Sequence, residues 1–245
     1  AISFTSTIDN AQALTLTGGA ADVTVGGAIG NTAALSSLTI TGNDVSVANL
    51  GGAAEGVTGA TSVTAATSVA DTGSITFTGT TYKTDGTQSY TAPAGANLLV
   101  NGAPTTFTTS NDAVSFTTAD ITLANGSDLT VTTAGGAITA NKIDGTSSED
   151  VTLTSITGTA KTVSVGAIGT VTANGINTVA LTGATSVTLN GNITTDTATL
   201  NSVTVTGPAL LGAAVVVNTS ANVTDQTGAI SFTSTIDNAQ ALTLT

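Results

Sequence analysis

Apolar residues recur in pairs at every second position along most of this chain, with Gly, Asn, Asp and Ser between the pairs. Successive side chains of a β-strand point to opposite faces. Each pair therefore predicts a short strand that turns its apolar side chains to one face, while neighbouring Thr residues, such as Thr39 and Thr41, point to the other. The pairs are Ile2/Phe4, Leu14/Leu16, Val23/Val25, Leu38/Ile40, Val45/Val47, Ile75/Phe77, Val114/Phe116, Ile121/Leu123, Leu129/Val131, Val151/Leu153, Val163/Val165, Val179/Leu181, Val187/Leu189, Val203/Val205 and Val215/Val217.

A second regularity sets the spacing of these strands. Four octamers that end in Thr-Gly carry an alternating apolar pair, at residues 11–18, 35–42, 176–183 and 200–207. The first two octamers, like the last two, are separated by about 24 residues, a period in the range of repeat architectures. A β-sandwich has no such internal period and a propeller closes on itself, whereas short strands in repeats of this length fit stacked coils. The sequence predicts an all-β fold, a parallel β-solenoid (β-helix) with roughly 24-residue coils that stack about 4.7–4.9 Å apart.

A much longer repeat encloses the short one. Residues 229–245 repeat residues 1–17, AISFTSTIDNAQALTLT, without a mismatch. We interpret residues 1–228 as one solenoid block of a tandem array and residues 229–245 as the start of the next block. One block would hold about nine or ten coils and rise roughly 45 Å. We expect the two copies to share one backbone conformation and to differ by a translation along the solenoid axis, and we expect uncapped, sticky ends.

Charge and missing residue types exclude several classes of function. The chain carries 15 acidic residues against three Lys and no Arg, a net charge of −12. Nucleic acids and anionic bilayers require basic clusters, so neither is an expected partner, and no apolar run is long enough to insert into a membrane. Without Cys or His there is no disulfide, histidine base or ordinary zinc site. Carboxylate pairs without Arg, His or Trp beside them do not indicate a glycosidase, so we expect no enzyme activity.

Acidic residues often stand directly before a predicted strand. In one interpretation these side chains accept hydrogen bonds from their own backbone, as Asp and Asn do in turns. In the other they hold Ca²⁺, the single cofactor for which the sequence offers candidates. Neither an EF-hand loop nor a calcium-binding nonapeptide occurs. The candidate ligands are therefore Asp44, beside Asn43, and Asp144 with Glu149 and Asp150.

Two segments interrupt the pattern. Residues 80–109 hold both Tyr residues, and they predict either a protrusion that offers Tyr82, Lys83 and Tyr90 as a contact surface or two irregular coils with ordinary turns. Residues 51–69 are rich in Ala and Gly, and they predict either a loop that leaves the solenoid or a weakly patterned coil.

Thr-x-Thr triplets recur on the presumed outer faces. Flat Thr arrays on solenoids resemble ice-binding proteins, which gives a minor alternative function. The triplets are dispersed along the chain, so we expect Thr to serve mainly as a soluble strand former. The triplets include Thr15/Thr17, Thr76/Thr78, Thr152/Thr154 and Thr204/Thr206.

The strand repeats resemble those of giant bacterial surface proteins, namely filamentous-haemagglutinin-like and large autotransporter-type adhesins. The resemblance rests on the strings GAISFTSTID, SLTITGNDVSV, TVALTGATSVTLNGNITT and NSVTVTGPALL. It implies a structural shaft of a secreted or cell-surface fibre, with identical repeats or subunits as neighbours along the axis and other fibres as lateral partners. A ligand-binding module within residues 80–109 is the alternative.

Overall fold

The computed structural model describes residues 1–52, 54–69, 71–124, 126–158, 160–170, 175–195, 202–219 and 228–245. Within these residues there is no helix, and every strand pair is parallel. The strands are β1 (Ile2–Phe4), β2 (Ala13–Thr17), β3 (Val23–Val25), β4 (Ser37–Gly42), β5 (Val45–Val47), β6 (Thr61–Ala65), β7 (Ile75–Phe77), β8 (Thr81–Thr84), β9 (Gln88–Thr91), β10 (Asn97–Val100), β11 (Thr105–Thr109), β12 (Val114–Thr117), β13 (Asp120–Leu123), β14 (Leu129–Thr133), β15 (Ile138–Ala140), β16 (Ile143–Asp144), β17 (Glu149–Ser155), β18 (Thr162–Val165), β19 (Ile176–Gly183), β20 (Ser186–Leu189), β21 (Ile193–Thr194), β22 (Ser202–Thr206), β23 (Ala209–Leu211), β24 (Val215–Asn218), β25 (Ala229–Phe232), β26 (Ile236–Asp237) and β27 (Leu242–Leu244).

The chain passes once per coil through three parallel sheets, and the fold is the predicted β-solenoid. The first face is β1-β3-β5-β7-β10-β13-β16, continued through a bridge at Ile168 by β21-β24-β27. The second face begins as single bridges at Ile8, Ile29 and Leu50 and continues as β8-β11-β14-β17-β19-β22-β25. The third face is β2-β4-β6-β9-β12-β15-β18-β20-β23-β26.

The core is a set of apolar columns that run along the solenoid axis. All fifteen predicted pairs lie in strands. In the interior coils both members of each pair are buried, as with Leu38 and Ile40, which are fully buried. Each inward residue is in register with its counterparts in the coils before and after it, as Val23, Val45 and Ile75 are on the first face. One coil cannot bury these side chains alone, so the coils stabilise one another.

The described part of segment 51–69 contains a coil in register with its neighbours, as one of the two interpretations predicts. The backbone N–H of Gly51 donates to the carbonyl of Ile29, and that of Gly56 donates to the carbonyl of Lys83, both at 2.8 Å. Val57 then bridges Leu35 and Thr84, and β6 pairs with β4 and β9. The neighbouring coil fits closely here, because a Cβ on Gly30 would lie 2.0 Å from the carbonyl oxygen of Gly56.

Residues 80–109 form parts of two successive coils. They contribute β8, β9, β10 and β11 to all three faces, in register with the coils on either side. The protrusion interpretation of this segment is therefore wrong and the coil interpretation is confirmed, although the strands pair regularly rather than irregularly.

The two 17-residue copies lie on different faces of the solenoid. In the first copy, β1 lies on the first face and β2 on the third. In the second copy, the equivalent residues form β25 on the second face and β27 on the first. The expected relation by translation alone is wrong, because the chain passes through nine coils and one further face between the two copies.

The number of coils between the two copies is not a whole number, because the corners of the solenoid differ in length. On the first face one coil runs from Ile2 to Val23, whereas another runs from Val45 to Ile75 and is markedly longer. The period seen in the sequence is thus an average, and it does not fix the face on which a distant segment lies.

Candidate functional site

Most of the corner aspartates accept hydrogen bonds from the next coil, whereas Asp71 and Glu149 accept from backbone N–H groups close to them in sequence. For example, Asp44 Oδ1 accepts from both the backbone N–H and the hydroxyl of Ser74, at 2.7 Å each. Asn side chains do the same, since Asn49 Oδ1 accepts from the N–H groups of Thr80 and Thr81. In each of these bonds the acceptor belongs to the earlier coil and the N–H to the later one. The acceptors are Asp9, Asp22, Asp44, Asn49, Asp128, Asp144, Asp150 and Asn192.

Asp150 and Glu149, two of the calcium candidates, are engaged by protein donors. Asp150 Oδ1 accepts from Asn177 Nδ2 at 2.9 Å and from the N–H and hydroxyl of Thr178 at 3.0 and 2.7 Å. Glu149 is fully buried. Its Oε2 accepts from the N–H groups of Thr146 and Ser147, and its Oε1 accepts from the N–H of Gly126 and the hydroxyl of Thr146. Both carboxylates therefore have a structural role at these corners.

Asp144 is paired with one of the three lysines. Its Oδ2 lies 2.5 Å from Lys142 Nζ, and its Oδ1 accepts from the N–H and hydroxyl of Thr170. Asp120 approaches the same ammonium group at 3.9 Å. The hydrogen bond to Asp144, with the charges of Asp144 and Asp120, raises the pKa of Lys142 above its ordinary value, against a smaller opposing effect of desolvation.

Asp44 lines an open cleft of about 270 Å³ together with Asp71 and Asn97. Asp71 Oδ1 accepts from Asn43 Nδ2 at 2.8 Å and from the N–H of Gly73 at 3.0 Å. The structure thus places Asn43 beside Asp71 at this corner. Within the part of the chain that the structure describes, no three Asp, Glu, His or Cys side chains come together as a metal site.

The structure contradicts the prediction that Tyr82 and Tyr90 form a contact surface. Both side chains are fully buried, so neither offers a contact surface. The Tyr82 hydroxyl donates to the carbonyl of Val47 at 2.9 Å and accepts from the N–H of Gly79 at 3.0 Å, and that of Tyr90 donates to Gln88 Oε1 at 2.9 Å. Lys83 does point outward, with its ammonium group 3.9 Å from Glu55 Oε1.

These tyrosines belong to an aromatic cluster inside the fourth and fifth coils. Phe107 lies at its centre, with its ring centroid 4.6 Å from that of Tyr82 and 5.0–5.5 Å from those of Phe77, Tyr90 and Phe116. Buried Gln88 joins the cluster to the backbone, since its Nε2 donates to two carbonyl groups. Burial raises the pKa of both tyrosines above their ordinary value.

Threonine side chains form an ordered grid on the second face. The triplets named from the sequence are dispersed over three faces, with Thr15/Thr17 on the third, Thr76/Thr78 on the first and the other two on the second. On the second face, however, the coils bring successive rows into register with outward-pointing side chains. The grid repeats at about 4.8 Å between coils and about 6.6 Å along a strand. Sequence spacing hid this alignment because coil lengths differ. The rows are Thr106/Thr108, Thr130/Thr132, Thr152/Thr154, Ala180/Thr182 and Thr204/Thr206.

Both terminal coils expose part of their apolar edge. At the N-terminal coil Phe4 is 37% exposed, while Ile2 and Ile8 are partly covered by the following coil. At the C-terminal coil Ile236 and Leu244 are exposed and are covered only by the preceding coil. All of these residues belong to the two copies of the 17-residue repeat. The first copy has a neighbouring coil only after it, and the second copy has one only before it.

Comparisons with known proteins found no match: no family model, curated protein or solved structure is similar to this chain. Among the described residues, no helix has the length and apolar character needed to cross a membrane. The fold places the chain among the β-helix repeat proteins.

Proposed function

We propose that this chain is a section of a structural shaft, a non-enzymatic extracellular or cell-surface fibre built from tandem solenoid blocks. The observation that carries the proposal is the pair of environments around the 17-residue repeat. Residues 1–17 pack against the coil that follows them, and residues 229–245 pack against the coil that precedes them. If the two copies are superposed, the 17-residue sequence has a neighbouring coil on both sides, as it would in a continuous solenoid.

The apolar columns pass through such a junction without interruption. Val203 pairs with Ile230, whose equivalent Ile2 pairs with Val23, so three aliphatic residues would stack in sequence. Val217 pairs with Leu244, whose equivalent Leu16 pairs with Ile40. Because each of these junction positions is aliphatic, stacking another block buries apolar surface at each column.

The resemblance to filamentous-haemagglutinin-like and autotransporter-type adhesins supports a bacterial surface location. A shaft of this kind works mechanically, since its backbone ladders run along the axis and its length increases with the number of blocks. The net charge of −12 keeps such fibres soluble and makes divalent cations, Ca²⁺ included, candidate bridges between neighbouring fibres. Fibre bundling that is unchanged by EDTA would reject this bridging role.

Chains of two, three and four blocks, each block being residues 1–228, test the shaft directly. Electron microscopy should show rods of constant width whose length increases by about 45 Å per block. Rods that do not lengthen with block number, or compact particles, would contradict the proposal. The length of the natural gene product, and the number of block copies in it, gives an independent check.

The threonine grid favours a second candidate, an ice-binding surface. A flat, regular array of hydroxyl and methyl groups can order water, and the second face carries such an array over five coils. Thermal hysteresis measured at high protein concentration tests it. Thr132→Lys on the second face should abolish hysteresis, while Thr24→Lys on the first face should not. Absence of hysteresis in the unmodified chain would end this candidate.

A further inference from the structure

The end of the solenoid is an interaction surface for a second copy of this chain. We propose that β22, β23 and β24 form a junction surface that accepts residues 1–17 of a following block in place of residues 229–245. That block belongs to a second copy of the chain, and it is rotated by one face, a third of a turn. This inference rests on the proposed shaft and specifies how its blocks join.

Residues 1–17 of a second copy can replace residues 229–245 with the same strand pairing, because the two sequences are identical. Residues 229–245 already occupy the junction surface, with Ser231 in register with Thr204 and Thr243 in register with Val216. Residues 1–17 of a second copy offer the same side chains in the same order. They can therefore remake each of these contacts when residues 229–245 of the first copy are released.

Conformational entropy favours the joined state. Before joining, the first copy exposes its C-terminal edge, including Leu244, and the second copy exposes Phe4 at its N-terminal edge. After joining, the coil formed by residues 1–17 is covered on both sides, while the released residues 229–245 expose the equivalent apolar side chains. The buried area is therefore unchanged, and the gain is the conformational entropy of the released segment. The opposing term is the lost translational and rotational freedom of the two molecules, so joining should depend on concentration.

The rotation follows from the faces that the repeat occupies. The junction seats residues 2–4 of the following block on β22, on the second face, whereas the same residues lie on the first face of their own block. Each junction therefore moves every feature of the block to the next face. Three consecutive blocks return each feature to its original side.

Engineered cysteine pairs test the junction in the full chain, because the chain contains no cysteine. Val216 and Thr243 are in register and both point outward, and Thr15 is the equivalent of Thr243. Adjacent parallel strands lie about 4.8 Å apart, within the Cα range of disulfides. A Val216→Cys/Thr15→Cys chain should form disulfide-linked multimers on oxidation, seen as a ladder on non-reducing gels.

A matched pair tests the rotation. Leu210→Cys/Thr15→Cys places both cysteines on the third face, so it captures a junction without rotation. The rotated junction predicts no multimers for this chain. In a third chain, Val216→Cys/Thr243→Cys, an internal disulfide should pin residues 229–245 in place. Sedimentation should then show a monomer where the unmodified chain associates with increasing concentration.

The outcomes separate this inference from the shaft itself. Multimers from Val216→Cys/Thr15→Cys alone support the rotated junction. Multimers from Leu210→Cys/Thr15→Cys alone, or from both chains equally, overturn it. No multimers from either chain overturn joining between copies, and rods that still lengthen with block number would leave the shaft proposal standing.

Discussion

At the scale of single residues, the corner Asp and Asn side chains act as ties between coils. Eight of the described ones accept an N–H from the coil that follows, which satisfies a backbone donor at a point where the ladder turns a corner. Asn49 and Asn192 fill the same role as the aspartates. The chemistry needed is thus a carbonyl-type oxygen, and a negative charge is not required.

Asp150 allows a test that separates a corner tie from a calcium ligand. We expect Asp150→Asn to keep the stability of the parent, because an amide oxygen still accepts from Thr178. Asp150→Ala should lose about 1–3 kcal/mol, because part-buried donors lose their acceptor. Denaturant unfolding with and without Ca²⁺ measures both. A large loss for Asp150→Asn that appears only when Ca²⁺ is present would favour the ligand role.

The two buried tyrosines should make the folded protein less stable at alkaline pH. Their pKa values are raised by burial, so their stabilising effect is complete below the ordinary value of about 10 and is lost as pH rises beyond it. Tyrosinate absorbance and circular dichroism, followed together into alkaline solution, should change at the same pH. Chain unfolded in urea is the control and should titrate near the ordinary value. If tyrosinate formed in the folded protein at the same pH as in the unfolded chain, the burial of the two side chains would be contradicted.

At the scale of elements, an aromatic cluster distinguishes the coils of β7 to β12 from the other interior coils of the described chain. Five rings meet there, mostly edge to face, whereas the other coils rely on aliphatic side chains. Aromatic pairs add stabilisation beyond the area they bury.

Phe107→Ala should destabilise the protein by about 3–5 kcal/mol, because a fully buried ring is removed from the centre of the cluster. Phe4→Ala is the matched control, since Phe4 is 37% exposed at the edge of the solenoid, and it should cost far less. Thermal unfolding of both variants compares them. Equal losses would mean that the cluster is not the most strongly packed region.

Alternating aliphatic residues predict most of the strands, although β10 also alternates aliphatic residues and is not among the predicted pairs. The strands β6 and β9 escape the pattern because Thr, Gln and Tyr occupy several of their inward positions. The burial of Tyr82 has no local signal, because its hydroxyl acceptor Val47 lies in the preceding coil. Tyr90 has its acceptor, Gln88, two residues away in the same strand, a local signal that the sequence prediction does not use.

Local sequence patterns do not predict the hydrogen-bond partners of the corner side chains or the face on which a distant segment lies. The N–H bound by Asp44 belongs to Ser74 in the following coil, so a turn rule that considers near neighbours assigns the bond to the wrong group. The face of a distant segment depends on the summed length of all intervening corners, and the coil from Val45 to Ile75 is much longer than the coil from Ile2 to Val23.

At the scale of the whole molecule, stability should vary along the axis. In stacked repeats each coil is stabilised mainly by its two neighbours, and the terminal coils have only one. Hydrogen exchange should be slowest in β7 to β12 and fastest in β1, β2, β26 and β27. Mass spectrometry of deuterium uptake measures this gradient. Uniform protection across the described coils would indicate that the solenoid unfolds as a single unit.

In the proposed junction, the third of a turn between blocks decides where the longest corners of a fibre lie. The coil from Val45 to Ile75 is longer than the coil from Ile2 to Val23, and its extra residues lie outside the strands, at the corners. If every block held a whole number of coils, these long corners would line up along one side of the fibre. With a one-face rotation they point in three directions in turn, and three consecutive blocks present them equally on all sides.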